Sequence, residues 1–259
     1  MKNLRQYGGM PFKAALIHGG PGVAGEMAPV AHELSYDIGV LEPLQTENTI
    51  ERQLDELKLA LEKYADLPVI LIGFSWGAWL SFIFASKYPE LVKKLILVSS
   101  GPFEQGYSEK IMDIRLGRMD ENERLQIASL LDDLDKQDSQ DRNTSFVKIG
   151  KLISKADTYD PIECLFGEIY FSYDIFQNVW QQAADLRRSG RLLEYAKNIQ
   201  CPVTAIHGDY DPHPSEGVEK PLSKYITDFR FIHLKNCGHK PWIEKQAKDK
   251  FYEILKQEI

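Results

Sequence analysis

Residues Pro68–Gly77 read PVILIGFSWG, and this stretch decides the fold. Pro68–Ile72 is an unbroken apolar, β-branched run, the composition of a strand covered on both faces. Gly73-Phe74-Ser75-Trp76-Gly77 follows at once and leads into a helical pattern, Trp76–Tyr88, that stops near Pro89. Gly-x-Ser-x-Gly between a strand and a helix is the setting in which a serine is held on a strained turn with its oxygen aimed outward. The residues two before and two after crowd that turn, so only small side chains fit there. The helix that follows also directs the positive end of its dipole at the serine. The wider window Leu67–Ser86 holds twenty consecutive uncharged residues, of which only three serines are polar. That is the length of a membrane span. Gly73 and Gly77 instead divide it into a buried strand, a turn and a buried helix.

Working outward, further short apolar runs occur at Lys13–Ile17, Asp37–Leu41, Leu95–Val98, Val203–Ile206 and Phe229–Leu234. Helical patterns separate them. One spans roughly Gly25 to Leu34. Another begins after Thr49, a helix-capping residue, and repeats at Leu54, Leu57, Leu61 and Tyr64; a third covers Lys240–Glu258. This alternation predicts an α/β fold, a mostly parallel sheet of about six strands sandwiched by helices. Only twelve residues precede Lys13, and all strands are expected to run parallel. The alternation lapses between about Pro102 and Lys197, where Ile111/Ile114/Met119, Leu125/Leu130/Leu134 and Phe146/Ile149/Ile153 keep helical spacing. The expectation is a core of residues 1–102 and 198–259 carrying an all-helical cap over 103–197.

The chain has 259 residues and a formal net charge of −7. Phe103–Lys197 holds 18 Asp and Glu against 13 Lys and Arg, so −5 of that charge belongs to the insertion. An acidic chain excludes a nucleic-acid binder, which needs a basic face, and a polybasic membrane-surface protein. Cys164, Cys201 and Cys237 are too few and too scattered for a disulfide framework or a paired zinc motif, and reduced thiols are expected. Met1–Phe12 contains no apolar leader segment, and a cytoplasmic location is expected. Internal repeats are absent, and the oligomeric state is not legible.

A serine nucleophile needs a general base, itself oriented by an acid. In this architecture the chain order is serine, acid, histidine. Val203–Ile206 runs into His207-Gly208-Asp209-Tyr210-Asp211, and Phe229–Leu234 runs into Asn236-Cys237-Gly238-His239. Ligands of open α/β sheets bind at the carboxyl ends of strands, where both segments lie. His239 is therefore the candidate base and Asp211 the candidate acid, with Asp209 a rival. His18 and His207 read as turn-stabilising side chains, His213 as a rim residue, His233 and His32 as structural. Two amide donors are required for an oxyanion. The Trp76 amide is one candidate and Gly20, in the loop His18–Gly22 (HGGPG), the other. That loop matches neither phosphate-cradling glycine motif. No metal or cofactor is called for.

At these residues the sequence resembles the α/β-hydrolase fold superfamily over nearly its whole length. HGGPG and the Ser-Trp-Gly elbow are most similar to the proline iminopeptidase branch. That resemblance implies a Ser75–His239–Asp211 triad acting through an acyl-enzyme on a small-molecule or short-peptide substrate. It also implies a cap carboxylate that holds a free α-amino group. Glu168, in Glu168-Ile169-Tyr170-Phe171, is the residue it suggests. Two features depart from the resemblance: the superfamily usually opens with an antiparallel pair of strands, for which the twelve residues before Lys13 are too few, and the chain is shorter than most iminopeptidases, with Phe74 where a glycine is common in that branch. Esterases, C–C bond hydrolases and cofactor-free perhydrolases resemble the same motifs, and a ligand-binding or receptor protein with little turnover is the reading from another class. The insertion is expected to close over Ser75. Its aromatics (Phe103, Phe146, Phe166, Tyr170, Phe171, Tyr173, Phe176, Trp180) should mainly form its own core, with a minority facing an apolar acyl pocket. Its acidity should favour a cationic substrate group.

Overall fold

The computed structural model describes residues 3–135, 142–163 and 167–259; Cys164 and Phe166 lie outside the described residues. In chain order the strands are β1 Leu4–Tyr7, β2 Phe12–Ile17, β3 Val23–Ala24, β4 Gly39–Pro43, β5 Val69–Phe74, β6 Val92–Val98, β7 Tyr170–Phe171, β8 Val203–Gly208 and β9 Phe229–Leu234. The helices are α1 Ala28–Leu34, α2 Ile50–Tyr64, α3 Trp76–Lys87, α4 Ile111–Gly117, α5 Glu121–Asp135, α6 Arg142–Ala156, α7 Tyr173–Arg188, α8 Arg191–Glu194, α9 Glu216–Tyr225 and α10 Lys248–Glu258. The main sheet has seven strands in the order β1-β4-β2-β5-β6-β8-β9. Six of them run parallel, and the edge strand β1 lies antiparallel on β4 with Leu4 opposite Pro43 and Tyr7 opposite Val40.

The all-parallel expectation is corrected at that edge. Four residues suffice for one antiparallel strand, and β1 fits within the short N-terminus before β2. Its sequence, LRQY, is only half-buried and carries little of the apolar signal that marks the interior strands. The insertion is also not purely helical. β7 pairs with β3 of the first loop, Val23 opposite Phe171 and Ala24 opposite Tyr170, in a two-stranded antiparallel ribbon. Two residues are too few for period-2 patterning to reveal.

Side chains alternate across the sheet and feed two cores. Val69 and Leu71 of β5 pack with Leu54, Leu57 and Leu61 of α2 and with α3. Ile70, Ile72 and Phe74 face the other way, onto α1 and onto Phe251 and Leu255 of α10. β5 is buried along its whole length, as is α3 from Trp76 to Ser86. The uncharged window of the sequence is thus the double-sided centre of the sheet and the helix behind it. Among the described residues no helix is long and apolar enough to cross a membrane. Thr49 caps α2, its hydroxyl accepting from the Arg52 amide at 3.3 Å.

Because β2, β5, β8 and β9 are parallel, their carboxyl ends share one edge of the sheet. His18, Ser75, Asp211 and His239 all follow those ends. Helices α4 to α8, with β7, form one excursion between β6 and β8 on that side of the chain.

Candidate active site

The elbow is built by backbone crowding. Ser75 has φ 52° and ψ −114°, a left-handed conformation that a non-glycine residue adopts only when its surroundings enforce it. The Ser75 amide donates to the Val98 carbonyl of β6 at 2.9 Å, fixing the turn to the neighbouring strand. A Cβ on Gly73 would strike the Gly77 carbonyl, and one on Gly77 would strike the carbonyls of Ile17 and His18. The two glycines of the motif are therefore steric requirements of this turn.

Ser75 meets its partners directly. His239 Nε2 lies 3.1 Å from Ser75 Oγ, and His239 Nδ1 lies 2.7 Å from Asp211 Oδ2. Asp211 and His239 are buried while Ser75 is half-buried. The structure separates the two acids. Asp209 is exposed, and its Oδ1 accepts from the Cys237 amide at 3.2 Å, not from His239.

His213 is not at the rim. Its backbone amide and its Nδ1 approach Asp211 Oδ1 at 3.0 and 2.7 Å, and its ring lies 4.6 Å from that of His239. One carboxylate thus serves two imidazoles, one on each oxygen. Burial pushes the Asp211 carboxyl up, but facing His239, His213 and His207 outweigh it and hold it well below the usual carboxylate range. Burial pulls the His213 imidazole down to about 4, against the opposing pull of Asp211. His213 is therefore neutral at pH 7, with Nδ1–H donating to Asp211. The ligand atoms of Asp211, His213 and His239 lie within 4.8 Å of one another, a spacing a cation could bridge. In this arrangement the two imidazoles already occupy the carboxylate. His207 Nε2 donates to the His213 carbonyl at 2.8 Å, so it holds the acid loop, as its turn-stabilising reading required.

The two amide donors expected from the sequence, Trp76 and Gly20, both line the cavity with Ser75. Trp76 is the first residue of α3, where the helix leaves its amides without intrahelical acceptors. Gly20, at φ 45°, lies in the loop after β2 and lines the same cavity as Ser75. His18 anchors that loop. Its Nε2 accepts from the Gln45 amide at 3.3 Å, so Nδ1 carries the proton and donates to the Gly19 carbonyl at 2.8 Å.

The serine opens on a cavity of about 760 Å³ whose wall is mainly apolar. Phe146, Phe171, Phe176 and Trp180 contribute to it, together with Trp79. Trp79 stacks on Trp180 and Trp180 on Phe176, with ring centroids 6.1 and 6.2 Å apart. Phe103 is instead core, packed edge-on against Phe82.

Glu168 is not brought to the site. It is exposed and absent from the cavity wall; its carboxylate accepts from the Tyr170 hydroxyl at 2.6 Å, and its carbonyl accepts from Arg5. The carboxylates that do line the cavity are Glu26 and Asp157, both buried. Each is already paired. Glu26 faces Lys240 at 3.0 Å, and Asp157 takes Arg115 through two contacts at 2.8 and 2.6 Å. Asp157 also accepts the His239 amide on its carbonyl at 2.8 Å, tying residues 103–197 to His239. Glu244 makes a second tie: fully buried, it accepts from the Gly238, Tyr159 and Asp160 amides at 2.8, 2.9 and 2.9 Å. Glu26, Arg115, Asp157 and Glu244 stand in no motif, and their roles arise from tertiary contacts across long sequence separations. His213 had one local signal, its place two residues after the acid.

With this geometry in view, the comparisons are direct. A family model for the α/β hydrolase fold matches residues 16–246, and the chain belongs to that family. The proline iminopeptidase of Saccharolobus solfataricus is 26% identical over 94% of this chain and 83% of its own length. The solved structure of VinJ superposes with a TM-score of 0.69 at 16% identity, covering 99% of this chain and 95% of that one. A thioesterase domain from the curacin biosynthetic pathway superposes with a TM-score of 0.64 at 20% identity, covering 98% and 94%. These likenesses carry the fold and, with the family, a hydrolase.

Proposed function

We propose that this hydrolase cleaves an ester or thioester of an apolar acyl group by covalent catalysis at Ser75. The observation that carries the reading is the unbroken relay Asp211–His239–Ser75, with contacts of 2.7 and 3.1 Å, opening on a mainly apolar cavity. His239 Nε2 takes the hydroxyl proton as Ser75 Oγ attacks the acyl carbonyl. Asp211 holds the proton-bearing Nδ1 and stabilises the imidazolium that forms. The Trp76 and Gly20 amides receive the developing oxyanion, each contributing about 3 kcal/mol. His239 then returns the proton to the leaving group, and water attacks the acyl-enzyme through the same base. Residues 103–197 act as a lid on a core of 1–102 and 198–259. The cavity walls that α6 and α7 supply exclude water and select the acyl chain. Two buried free thiols, Cys201 and Cys237, suit a reducing, cytoplasmic setting.

The aminopeptidase reading has two arguments in its favour, the HGGPG and Ser-Trp-Gly motifs and the proline iminopeptidase of Saccharolobus solfataricus aligned over nearly the whole chain. The site offers it less support. An α-ammonium needs an available carboxylate, whereas Glu26 and Asp157 are already neutralised by Lys240 and Arg115. A substrate panel separates the two. Prolyl and other aminoacyl p-nitroanilides are compared with p-nitrophenyl esters and acyl thioesters of rising chain length. Turnover of the esters or thioesters, rising with apolar length and lost in Ser75→Ala, is the expected result. Selective turnover of aminoacyl amides would overturn the acyl-ester assignment.

A further inference from the structure

The charge of the cavity runs opposite to that of the chain. Four basic side chains line it, Arg115, Lys151, Arg187 and Lys240, against two acidic ones, Glu26 and Asp157. Both acids are consumed by the pairs with Lys240 and Arg115. The acidity of the insertion sits elsewhere on its surface, so the sequence expectation of a cation-favouring lid does not hold for its inner wall.

Lys151 is exposed, but Arg187 is built in. It lies near the end of α7, half-buried. Its Nε donates to Gln105 Oε1 at 3.1 Å, and its guanidinium lies over the Trp79 ring at 5.4 Å. Among the described residues no carboxylate pairs with it, and Nε is its single hydrogen-bonded donor. Its neighbour Arg188 pairs with Asp185 instead. Burial and the charge of Arg188 together hold the Arg187 guanidinium below its ordinary value. A guanidinium carries five N–H donors in a planar fork suited to a carboxylate or phosphate. Gln105 and Trp79 hold this one against the cavity wall, and its two terminal nitrogens have no hydrogen-bond partner among the described residues.

The route to it is continuous. Trp79 is one helical turn beyond Ser75 on α3, and both line the same cavity. An acyl chain whose carbonyl sits at Ser75 can follow the indole of Trp79 to the guanidinium above it.

We infer that Arg187 is a substrate-binding residue that anchors an anionic group at the far end of an apolar acyl chain. The inference rests on the acyl-ester reading of Ser75 and adds a charge at the ω-position. A charge-assisted hydrogen bond in a partly desolvated site corresponds to roughly tenfold to a hundredfold in affinity.

The test uses p-nitrophenyl hydrogen adipate, suberate and sebacate, each with the plain acyl ester and the ω-amino ester of equal length. The wild-type protein should favour the carboxylate series in kcat/KM by about tenfold or more at the best length, through KM, and should disfavour the amines. Arg187→Gln should bring the carboxylate-to-neutral ratio close to one. Arg187→Glu should reverse the order in favour of the ω-amino ester, which misfolding cannot produce. The same ester set is titrated against Ser75→Ala, with binding followed by quenching of the cavity tryptophans, Trp79 and Trp180. Charge preference is thereby read whether or not turnover occurs. A ratio that survives in Arg187→Gln, or equal wild-type binding of all three series, overturns the inference. Serine-independent hydrolysis overturns the acyl-enzyme reading and leaves the binding comparison to decide Arg187 on its own.

Discussion

Replacing Glu244 by glutamine should loosen His239, the proposed general base, without touching any atom of the proposed reaction. In the native chain Oε1 accepts from the Gly238 and Tyr159 amides and Oε2 from the Asp160 amide, at 2.8, 2.9 and 2.9 Å, with the side chain fully buried. Glutamine keeps the shape but turns one acceptor into a donor. The least costly orientation sets the new NH₂ against the Asp160 amide and leaves a donor facing a donor. It also converts the remaining two bonds from charge-assisted to neutral. One lost charged bond, one stranded amide and two weakened bonds come to about 3 kcal/mol. In a chain of this size 1 kcal/mol lowers the melting temperature by roughly 2–4 °C, so a drop of about 6–12 °C is expected. Gly238 immediately precedes His239, and the facing Tyr159 and Asp160 follow Asp157, whose carbonyl holds the His239 amide. Misplacement of the imidazole should therefore lower kcat for an activated ester by about 10–100-fold, with a smaller change in KM. Differential scanning calorimetry and steady-state kinetics of Glu244→Gln read both effects. Melting and kcat indistinguishable from wild type would refute the idea that this carboxylate holds the histidine loop.

Three further outcomes follow from the same geometry. Asp211→Asn should cost kcat about 10³–10⁴-fold in steady-state assays while the fold survives, because an amide cannot hold the His239 tautomer or its imidazolium; the corresponding Asp209→Asn change should be nearly silent. The His213 imidazole is held at about 4, below its unfolded value, and Asp211 is depressed as well, so protons bind the unfolded chain preferentially as the medium is acidified. Stability present at neutral pH should fall between about pH 6.5 and 4, by about 3 kcal/mol from His213 alone, and His213→Gln should flatten that slope in urea titrations. Gly77→Ala, whose methyl group would meet the carbonyls of Ile17 and His18, should lower the urea midpoint by the equivalent of at least about 3 kcal/mol.

The legible part of the molecule was the part written in contiguous residues. Pro68–Gly77 announces strand, turn and helix together because the elbow's steric demands fall on neighbours two apart. Asp211 and His239 were readable because each follows a strand within a few residues. Choosing between Asp209 and Asp211 needed the loop geometry, which turns the first outward to the Cys237 amide and the second inward to His239. β1 escaped notice because an edge strand needs little apolar character. The cavity carboxylates Glu26 and Asp157, and the buried Glu244 behind the histidine loop, escaped because they gain their meaning from partners in distant segments. Net charge misled for a related reason. A count over residues 103–197 averages an acidic exterior with an inner wall where Arg187 stands without a carboxylate among the described residues.

The central claim is a covalent acyl intermediate on Ser75. Intact-mass and peptide-mapping spectrometry of the protein quenched during turnover of a p-nitrophenyl ester tests it most directly, with a fluorophosphonate as a second label. An acyl adduct and a phosphonyl adduct, both on the peptide containing Ser75 and both absent from Ser75→Ala, are the predicted result. Undiminished ester hydrolysis by Ser75→Ala, or a label carried on another residue, would contradict it.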